Sequence, residues 1–318
     1  RNILVKHQFY SKKKVNLVWS KDLQKELVSS VGKLESISSI AKHEYQTMGK
    51  SLRMLILTDY IRNDRENLSK IGTEEAFNVI NVVSIFETLR RTEDSMNIGV
   101  ISGTLVILPQ SIDFGGIFIE KISIPGTRYC IVDVFGAAYE AMDLVTQLFQ
   151  EGKIQILVGT KSLLGQEWDE SCVNSLILAG FAGNDLSSSQ MRGRVIRADE
   201  AHQDKTVNIW HLVTLEPRSV VTSKKWKSQE GEKEEKVHLK SWNLEILKHS
   251  FDSFMGPNYE TGVIESGINR MALTQLLSDV NGMVEINRKM LERSKEREAM
   301  KDMWKKQLES KSFRVVVE

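Results

Sequence analysis

The chain has 318 residues, of which 41% are hydrophobic and 27% charged, and its formal net charge is +1. These values are typical of a globular protein of about two domains, and the near-zero charge excludes a globally basic surface while allowing a local basic groove. No apolar run reaches the ~18 residues of a membrane span and no signal peptide is recognised, so we expect a cytoplasmic protein without a membrane partner.

The first half of the chain alternates predicted helices and strands. After an N-terminal segment, residues 1–20, the apolar spacing predicts a helix over residues 22–46. Apolar runs that predict strands follow at residues 52–60 and 100–108, with a helix between them at residues 72–91. Such continuous runs are typical of parallel strands buried on both faces.

The alternation continues to about residue 216. Residues 112–134 are expected to be extended, and a helix is expected over residues 137–151. Three further strands are predicted at residues 154–158, 173–178 and 207–213. Strands that alternate with helices predict a parallel sheet with helices on both faces, so we assign an α/β domain to residues 21–216.

The last hundred residues have a different composition. Residues 217–240 are dense in Lys and Glu and are predicted to be a charged linker or loop. Residues 241–318 are predicted to form an all-α C-terminal extension that ends in a long helix over residues 284–310. This extension is either a helical cap packed on the α/β domain or a docking surface for a partner.

The most specific motif of the chain is residues 190–197, Gln-Met-Arg-Gly-Arg-Val-Ile-Arg. Arginines held in fixed positions stabilise the charge that spreads over a transferring γ-phosphoryl group. Arg194 and Arg197 are the candidates for this role, whereas Arg192 is expected to be solvated or to face another domain. The pair alone could also be two exposed arginines on a surface helix.

Two other stretches end in groups suited to ligand binding. A predicted strand ends at Gly159-Thr160 and is followed by a loop that contains Gly165 and Asp169, and an earlier strand ends at Thr58. In open α/β sheets, ligands bind beyond the carboxyl ends of the strands. Asp169 could accept hydrogen bonds from a ribose or hold an arginine, or it could simply cap a helix.

Taken in chain order, the strand that ends at Thr58, the stretch from Gly159 to Asp169 and residues 190–197 resemble motifs IV, V and VI. These are motifs of the second RecA-like domain of superfamily 2 helicases of the DEAD/DEAH-box type. Residues 163–169, Leu-Leu-Gly-Gln-Glu-Trp-Asp, are close to the Leu-Leu-Gly-x-Gly-Trp-Asp form of that family. Glu167 departs from it, because the family usually has glycine at this position. The resemblance covers residues 20–215, and the rest of the chain resembles no family that we can name.

The resemblance implies a nucleotide site. Arg194 and Arg197 match the arginines that reach the γ-phosphate of ATP bound on the other RecA-like domain, and Gln190 matches the residue that couples the two domains. Gly165 and Asp169 match the motif V positions near the nucleotide ribose.

The resemblance also implies a nucleic-acid track and a function. Thr160, Thr58 and Gly103 match positions along a DNA or RNA backbone, where hydroxyls and amides contact phosphates without reading sequence. The chain is then the C-terminal motor half of an ATP-dependent helicase or translocase. The alternatives are a RecA-like scaffold or protein-interaction module without catalysis, and another nucleotide-binding α/β enzyme such as a kinase.

The sequence lacks the phosphate-binding loop, Gly-x-x-x-x-Gly-Lys-Ser/Thr, that such an enzyme needs. Gly49-Lys50-Ser51 matches its end, but Glu44 stands where the first glycine should be, and Gly49 is predicted to be the left-handed cap of a helix. We expect no Asp-Glu-x-His or Asp-Glu-x-Asp box in this chain, so the acid pair that holds Mg²⁺ is expected on an N-terminal RecA-like domain upstream of Arg1. We therefore expect the chain alone to be inactive.

Neither cysteine of the chain belongs to a metal-binding pattern. Cys130 and Cys172 lie in apolar, strand-like surroundings, which favours buried thiols in a reducing compartment. No spacing of Cys and His predicts a zinc site.

Overall fold

The structure is a computed structural model of the chain. It describes residues 10–11, 14–15, 32–59, 68–77, 80–103, 105–113, 119–134, 138–161, 168, 170–180, 185–197, 205–214, 217–219, 237–239, 242–252, 254–273 and 280–309. Most of the predicted N-terminal segment, residues 22–31 of the first predicted helix and residues 220–236 of the predicted linker therefore lie outside the described residues.

A mostly parallel sheet forms the centre of the fold. A small antiparallel pair, β1 Tyr10–Ser11 and β2 Lys14–Val15, precedes it. The strands of the central sheet are β3 Met54–Thr58, β4 Ile98–Ser102, β5 Leu105–Pro109, β6 Ile119–Ser123, β7 Tyr129–Val134, β8 Ile156–Thr160, β9 Ser175–Leu178 and β10 Asn208–His211. Their order is β10-β9-β3-β8-β4-β5-β7-β6, and the first five are parallel whereas β5, β7 and β6 pair antiparallel.

Helices cover both faces of this sheet. They are α1 Gly32–Met48, α2 Val82–Thr92, α3 Ala138–Gln150 and α4 Asp185–Val195. Side chains alternate along β3, so that Met54 and Ile56 pack in one hydrophobic cluster with α1 and α2, while Leu55 and Leu57 pack in another with α3 and α4. All five residues of β3 are buried, as expected for a central parallel strand. The expected RecA-like arrangement of the sheet and its helices is confirmed.

One predicted strand is in fact two. The apolar run at residues 100–108 contains the turn between β4 and β5, and Ser102 pairs with Leu105 across it. Gly103 adopts φ of 53°, in the left-handed region that glycine enters without a steric penalty. The chain therefore reverses at Gly103, and the sheet changes from parallel to antiparallel at this point.

The C-terminal extension is helical but not all-α. Its helices are α5 Trp242–Phe251, α6 Val280–Arg293 and α7 Arg297–Glu309, so the single helix predicted over residues 284–310 is divided in two. The extension also contains a short antiparallel pair, β13 Met255–Pro257 with β14 Ile264–Ser266, and a second pair, β11 Pro217–Ser219 with β12 Val237–Leu239, lies at the two ends of the predicted linker. The all-α expectation was wrong because three-residue strands carry no readable alternation.

The turn between α6 and α7 packs on the α/β domain through a buried ion pair. Arg297 Nη2 lies 2.6 Å from Glu44 Oε2 of α1, and the two side chains are 9% and 1% exposed. Glu44 Oε1 also accepts hydrogen bonds from Asn208 and Trp210 of β10, each at 2.8 Å. Leu291 packs against the first hydrophobic cluster. These contacts agree with the interpretation of the extension as a cap.

The two cysteines have no disulfide partner; Cys130 is buried and Cys172 half-buried. Burial raises the pKa of the Cys130 thiol, which keeps it protonated. Among the helices that the structure describes, none combines the length and the apolar character needed to cross a membrane.

Candidate functional site

Helix α4 carries the arginine motif and divides it between two faces. Gln190 and Arg194 are spaced i and i+4, which places them on one side of the helix, and Arg197 follows two residues after its last residue, Val195. Gln190 and Arg197 are exposed and Arg194 is half-buried, whereas Met191 and Val195, on the neighbouring side of the helix, are buried against the sheet. We call the side of α4 that carries Gln190 and Arg194 its open face.

Arg194 is fixed by the segment that precedes β9. Its Nη1 donates to the carbonyl oxygen of Trp168 at 3.3 Å. Trp168 is itself held, because its indole Nε1 donates to Thr146 Oγ1 at 2.8 Å and its ring packs 6.0 Å from that of Phe149. The structure thus brings the arginine motif into contact with Trp168, within the stretch that was compared with motif V. Asp169 and Gly165 lie outside the described residues.

Of the two expectations for Arg192, solvated or facing another domain, the structure agrees with the second. Arg192 is 4% exposed, and its guanidinium carbon lies 4.1 Å from the ring centroid of Phe254 and 5.8 Å from that of Phe251. Both rings belong to the C-terminal extension. A guanidinium over an aromatic face is attracted by the ring quadrupole, which replaces part of the hydration lost on burial.

His211, at the end of β10, lies next to this aromatic pair. Its ring is 5.4 Å from that of Phe251, and its Nε2 is buried without a hydrogen-bond partner among the described residues. Burial, together with the positive charges of Arg192 and Lys161, lowers the pKa of His211 to about 3. The imidazole is therefore neutral at physiological pH.

The carboxyl edge of the parallel strands holds the predicted nucleic-acid residues. Thr58 and Thr160 are direct partners in the β3–β8 register, so their side chains are neighbours. They are 2% and 3% exposed, respectively, so their hydroxyls are covered in this structure. Gly103, at the end of β4, is exposed. The three residues are on adjacent strands of the same edge.

The same edge carries a charged cluster that the sequence did not reveal. Lys161 Nζ lies 3.3 Å from Asp59 Oδ1, and Lys33 Nζ of α1 donates to the carbonyl of Ala179 at 3.0 Å. Burial lowers the pKa of Lys33 to about 8, with Asp59 opposing this shift and Lys161 adding to it. A Cβ at Gly180 would come within 2.5 Å of the Asp59 carboxylate, so a larger residue there would have to displace the Asp59 side chain.

The two groups of predicted residues lie at different ends of the sheet. Lys205 Nζ donates to the carbonyl of Val195, at the end of α4, at 2.9 Å and also to that of Ser171. Ser171 precedes β9 and therefore lies at the amino edge of the strands, opposite to Thr58 and Thr160. The arginine face and the hydroxyl edge are thus separate surfaces.

The Gly49-Lys50-Ser51 triplet is not a phosphate loop. It forms a 3₁₀ turn that follows α1 and precedes β3, the reverse of the strand–loop–helix order that such a loop requires. Gly49 has φ of 57°, which confirms the predicted left-handed cap.

The expectation that no acid box occurs in the sequence was wrong. Residues 199–202 read Asp-Glu-Ala-His, but they follow α4 rather than a buried strand and lie outside the described residues. Their position after motif VI differs from that of a magnesium-holding box, which precedes it. Among the described residues, no group of three or more His, Cys, Asp or Glu side chains is placed to hold a metal ion.

No known protein-family model and no curated protein matches the chain. Solved structures that resemble it include the Pyrococcus furiosus Hef helicase domain, with 14% identity over 57% of this chain and 26% of that chain and a TM-score of 0.31. The C-terminal part of the Fun30 ATPase domain has 14% identity over 61% and 43% of the two chains and a TM-score of 0.33. S. cerevisiae Dbp5 bound to RNA and ADP BeF3 has 10% identity over 66% and 48%, and a TM-score of 0.31.

In each of these cases the chain spans less than half of the matched structure's length. Hef and Fun30 are named as a helicase domain and an ATPase domain. At this level of similarity, the role of each residue has to be argued from the contacts of this chain alone.

Proposed function

We propose that the chain is the C-terminal motor half of an ATP-dependent nucleic-acid helicase or translocase. In this role, Arg194 and Arg197 stabilise the γ-phosphate charge of ATP bound to a facing RecA-like domain, and Gln190 couples the two domains. Turnover then requires closure of the two domains, and repeated opening and closing moves the protein along a strand.

The observation that carries this proposal is the open face of α4. Gln190 and Arg194 share this side of the helix and exposed Arg197 follows its end, so three groups that can bind a phosphate follow one another at the surface. Arg194 is held by the Trp168 carbonyl while staying half-exposed, which limits the reorganisation that would otherwise weaken its interaction with a phosphate. Asp169 directly follows Trp168 in the chain and is proposed, with Gly165, to lie near the ribose.

The nucleic-acid track is proposed at the carboxyl edge of β3, β8 and β4. Exposed Gly103 offers backbone groups to a phosphate, and Lys161 beside Asp59 supplies positive charge at the same edge. Thr58 and Thr160 act in this proposal only if a bound strand uncovers their hydroxyls. The track is either DNA or RNA.

ATP and Mg²⁺ are the implied cofactors, and this chain fits one side of the nucleotide only. The exposed guanidinium of Arg197 suits an anion, whereas Gly49 to Ser51 form a helix-terminal turn that cannot enclose a phosphate chain. We therefore assign the phosphate loop and the Mg²⁺ ligands to the N-terminal RecA-like domain, and we expect no ATP turnover from the chain alone.

Exposed Val284 and Leu308, on α6 and α7, are the positions at which a protein partner would bind the extension.

The test is the ATP turnover of the full-length protein with single-stranded DNA, duplex DNA, RNA or no nucleic acid. A motor should show turnover that rises with at least one of these, and the preferred one identifies the track. A scaffold or interaction module without catalysis should show none under any condition, which would overturn the proposal.

A further inference from the structure

The C-terminal extension contacts α4 through Arg192, on the side of the helix away from Arg194. Successive residues of an α-helix are rotated by about 100° about its axis, so Arg192 and Arg194 point in nearly opposite directions. Arg194 is on the open face, whereas Arg192 is buried with its guanidinium 4.1 Å from the Phe254 ring. A rotation of α4 that moves one of these side chains must move the other.

Other contacts of α4, among the side chains that the structure describes, hold its C-terminal end and its sheet-facing side. Met191 and Val195 pack in the second hydrophobic cluster, and Lys205 Nζ binds the last carbonyl of the helix. Apolar contacts tolerate small rotations because they are not directional. A planar guanidinium over a ring is more restrictive, since it loses its attraction when it tilts or slides off the ring face.

We propose that Arg192 is a positioning residue through which the C-terminal extension, by way of Phe254, holds α4 in the orientation that aims Arg194 and Arg197. This inference rests on the proposed function for its consequence, but not for the contact itself. It gives the extension a part in ATP hydrolysis: a partner that displaces Phe254 from Arg192 would release the arginine helix.

The contact is tested first in the 318-residue chain by amide hydrogen exchange of residues 185–197. Phe254→Leu removes the ring but leaves an apolar side chain, and exchange in α4 should become about tenfold faster. Phe254→Tyr keeps the ring face and should exchange like the wild type. Arg192→Lys, which keeps the charge but cannot lie flat on the ring, should give a several-fold increase and provides a second variant if Phe254→Leu does not fold.

Tyr259→Leu is the matched control. The Tyr259 ring carries the guanidinium of Arg293 at 4.5 Å, so it is the same kind of pair within the extension but away from α4. Its loss should leave exchange in α4 unchanged. If Phe254→Leu changes α4 exchange by less than twofold, or if Tyr259→Leu changes it equally, the extension does not hold α4 through Arg192.

The consequence is tested by ATP turnover of the full-length protein. Phe254→Leu should lower kcat about tenfold and leave KM for ATP within twofold, because the aim of Arg194 and Arg197 matters in the transition state rather than for ATP binding. Phe254→Tyr, which keeps the aromatic ring, should have the kcat of the wild type. Faster α4 exchange with unchanged kcat would overturn the link to hydrolysis. If the wild type does not hydrolyse ATP, the proposed function fails, while the exchange data still decide whether Arg192 holds the helix.

Discussion

Replacing Glu44 by alanine should weaken the attachment of the C-terminal extension to the α/β domain. Glu44 is buried and accepts three hydrogen bonds, from Arg297, Asn208 and Trp210. Its loss removes the counter-charge of the buried Arg297 guanidinium and the acceptor of the Trp210 indole N–H, while Asn208 Nδ2 keeps its bond to the Ser294 carbonyl. Breaking one side of a buried ion pair costs about 3–5 kcal/mol, so we expect the free energy of unfolding to fall by about that amount.

The pair itself is measured by a double-mutant cycle of Glu44→Ala and Arg297→Ala. Urea unfolding followed by tryptophan fluorescence gives the free energy of each variant. Arg297 also donates to the carbonyls of Asn174 and Thr206, so the single Arg297 variant loses more than the ion pair, and only the coupling term isolates the contact with Glu44. We expect a coupling energy of about 2 kcal/mol that changes little with salt, because the pair is shielded from solvent.

Arg288→Ala is the control for this cycle. Arg288 also contacts carboxylates, those of Glu285 and Glu292, but it is exposed on α6. Its removal should leave the unfolding midpoint almost unchanged. A coupling energy below about 0.5 kcal/mol for Glu44 and Arg297 would contradict the buried contact and, with it, the interpretation of the extension as a fixed cap.

Two further predictions concern His211 and Gly103. The pKa of His211 is about 3 in the folded chain and about 6.5 in the unfolded chain. Between these pH values the unfolded state binds one proton more than the folded state, so the free energy of unfolding falls as the pH drops from 6.5 towards 3. In urea unfolding, this residue should lower the free energy of unfolding by about 2 kcal/mol at pH 5 relative to pH 8, and His211→Leu should remove that difference. If the wild type and His211→Leu depend on pH equally, the imidazole is not held neutral in the folded chain. Gly103→Ala should cost about 1 kcal/mol because of its positive φ, and Gly103→Asn should cost less, since asparagine tolerates the left-handed region. Equal stability of all three proteins would show that the turn relaxes.

The features that the sequence predicted well depend on neighbours in the chain. Short stretches of sequence determine three such features. They are the buried strand β3, the helix α3 with Gly152 after its end, and the helix cap at Gly49. The parallel pairing of the strands, though not their order in the sheet, followed from their alternation with helices. The turn at Gly103 was missed because a glycine within a nine-residue apolar run fits one long strand as well as two short ones.

The features that were missed depend on residues far apart in the chain. Nothing near Arg192 indicates burial, because the rings that cover it, Phe251 and Phe254, follow about sixty residues later. The cluster of Lys33, Asp59 and Lys161 is assembled by three elements whose ends meet at one sheet edge. A buried charge of this kind has no signature in local periodicity, and the sequence showed only that each residue was polar.

The most direct test of the account is the effect of Arg197→Ala on ATP turnover by the full-length protein. An arginine that stabilises the transferring phosphoryl group is worth about 10³-fold or more in turnover, and Arg288→Ala, at an exposed arginine of α6, should have no effect. We predict a loss on that scale for Arg197→Ala with the stability of the protein unchanged. A loss of less than about tenfold would show that Arg197 is a structural surface residue and would contradict the assignment of α4 to a nucleotide site.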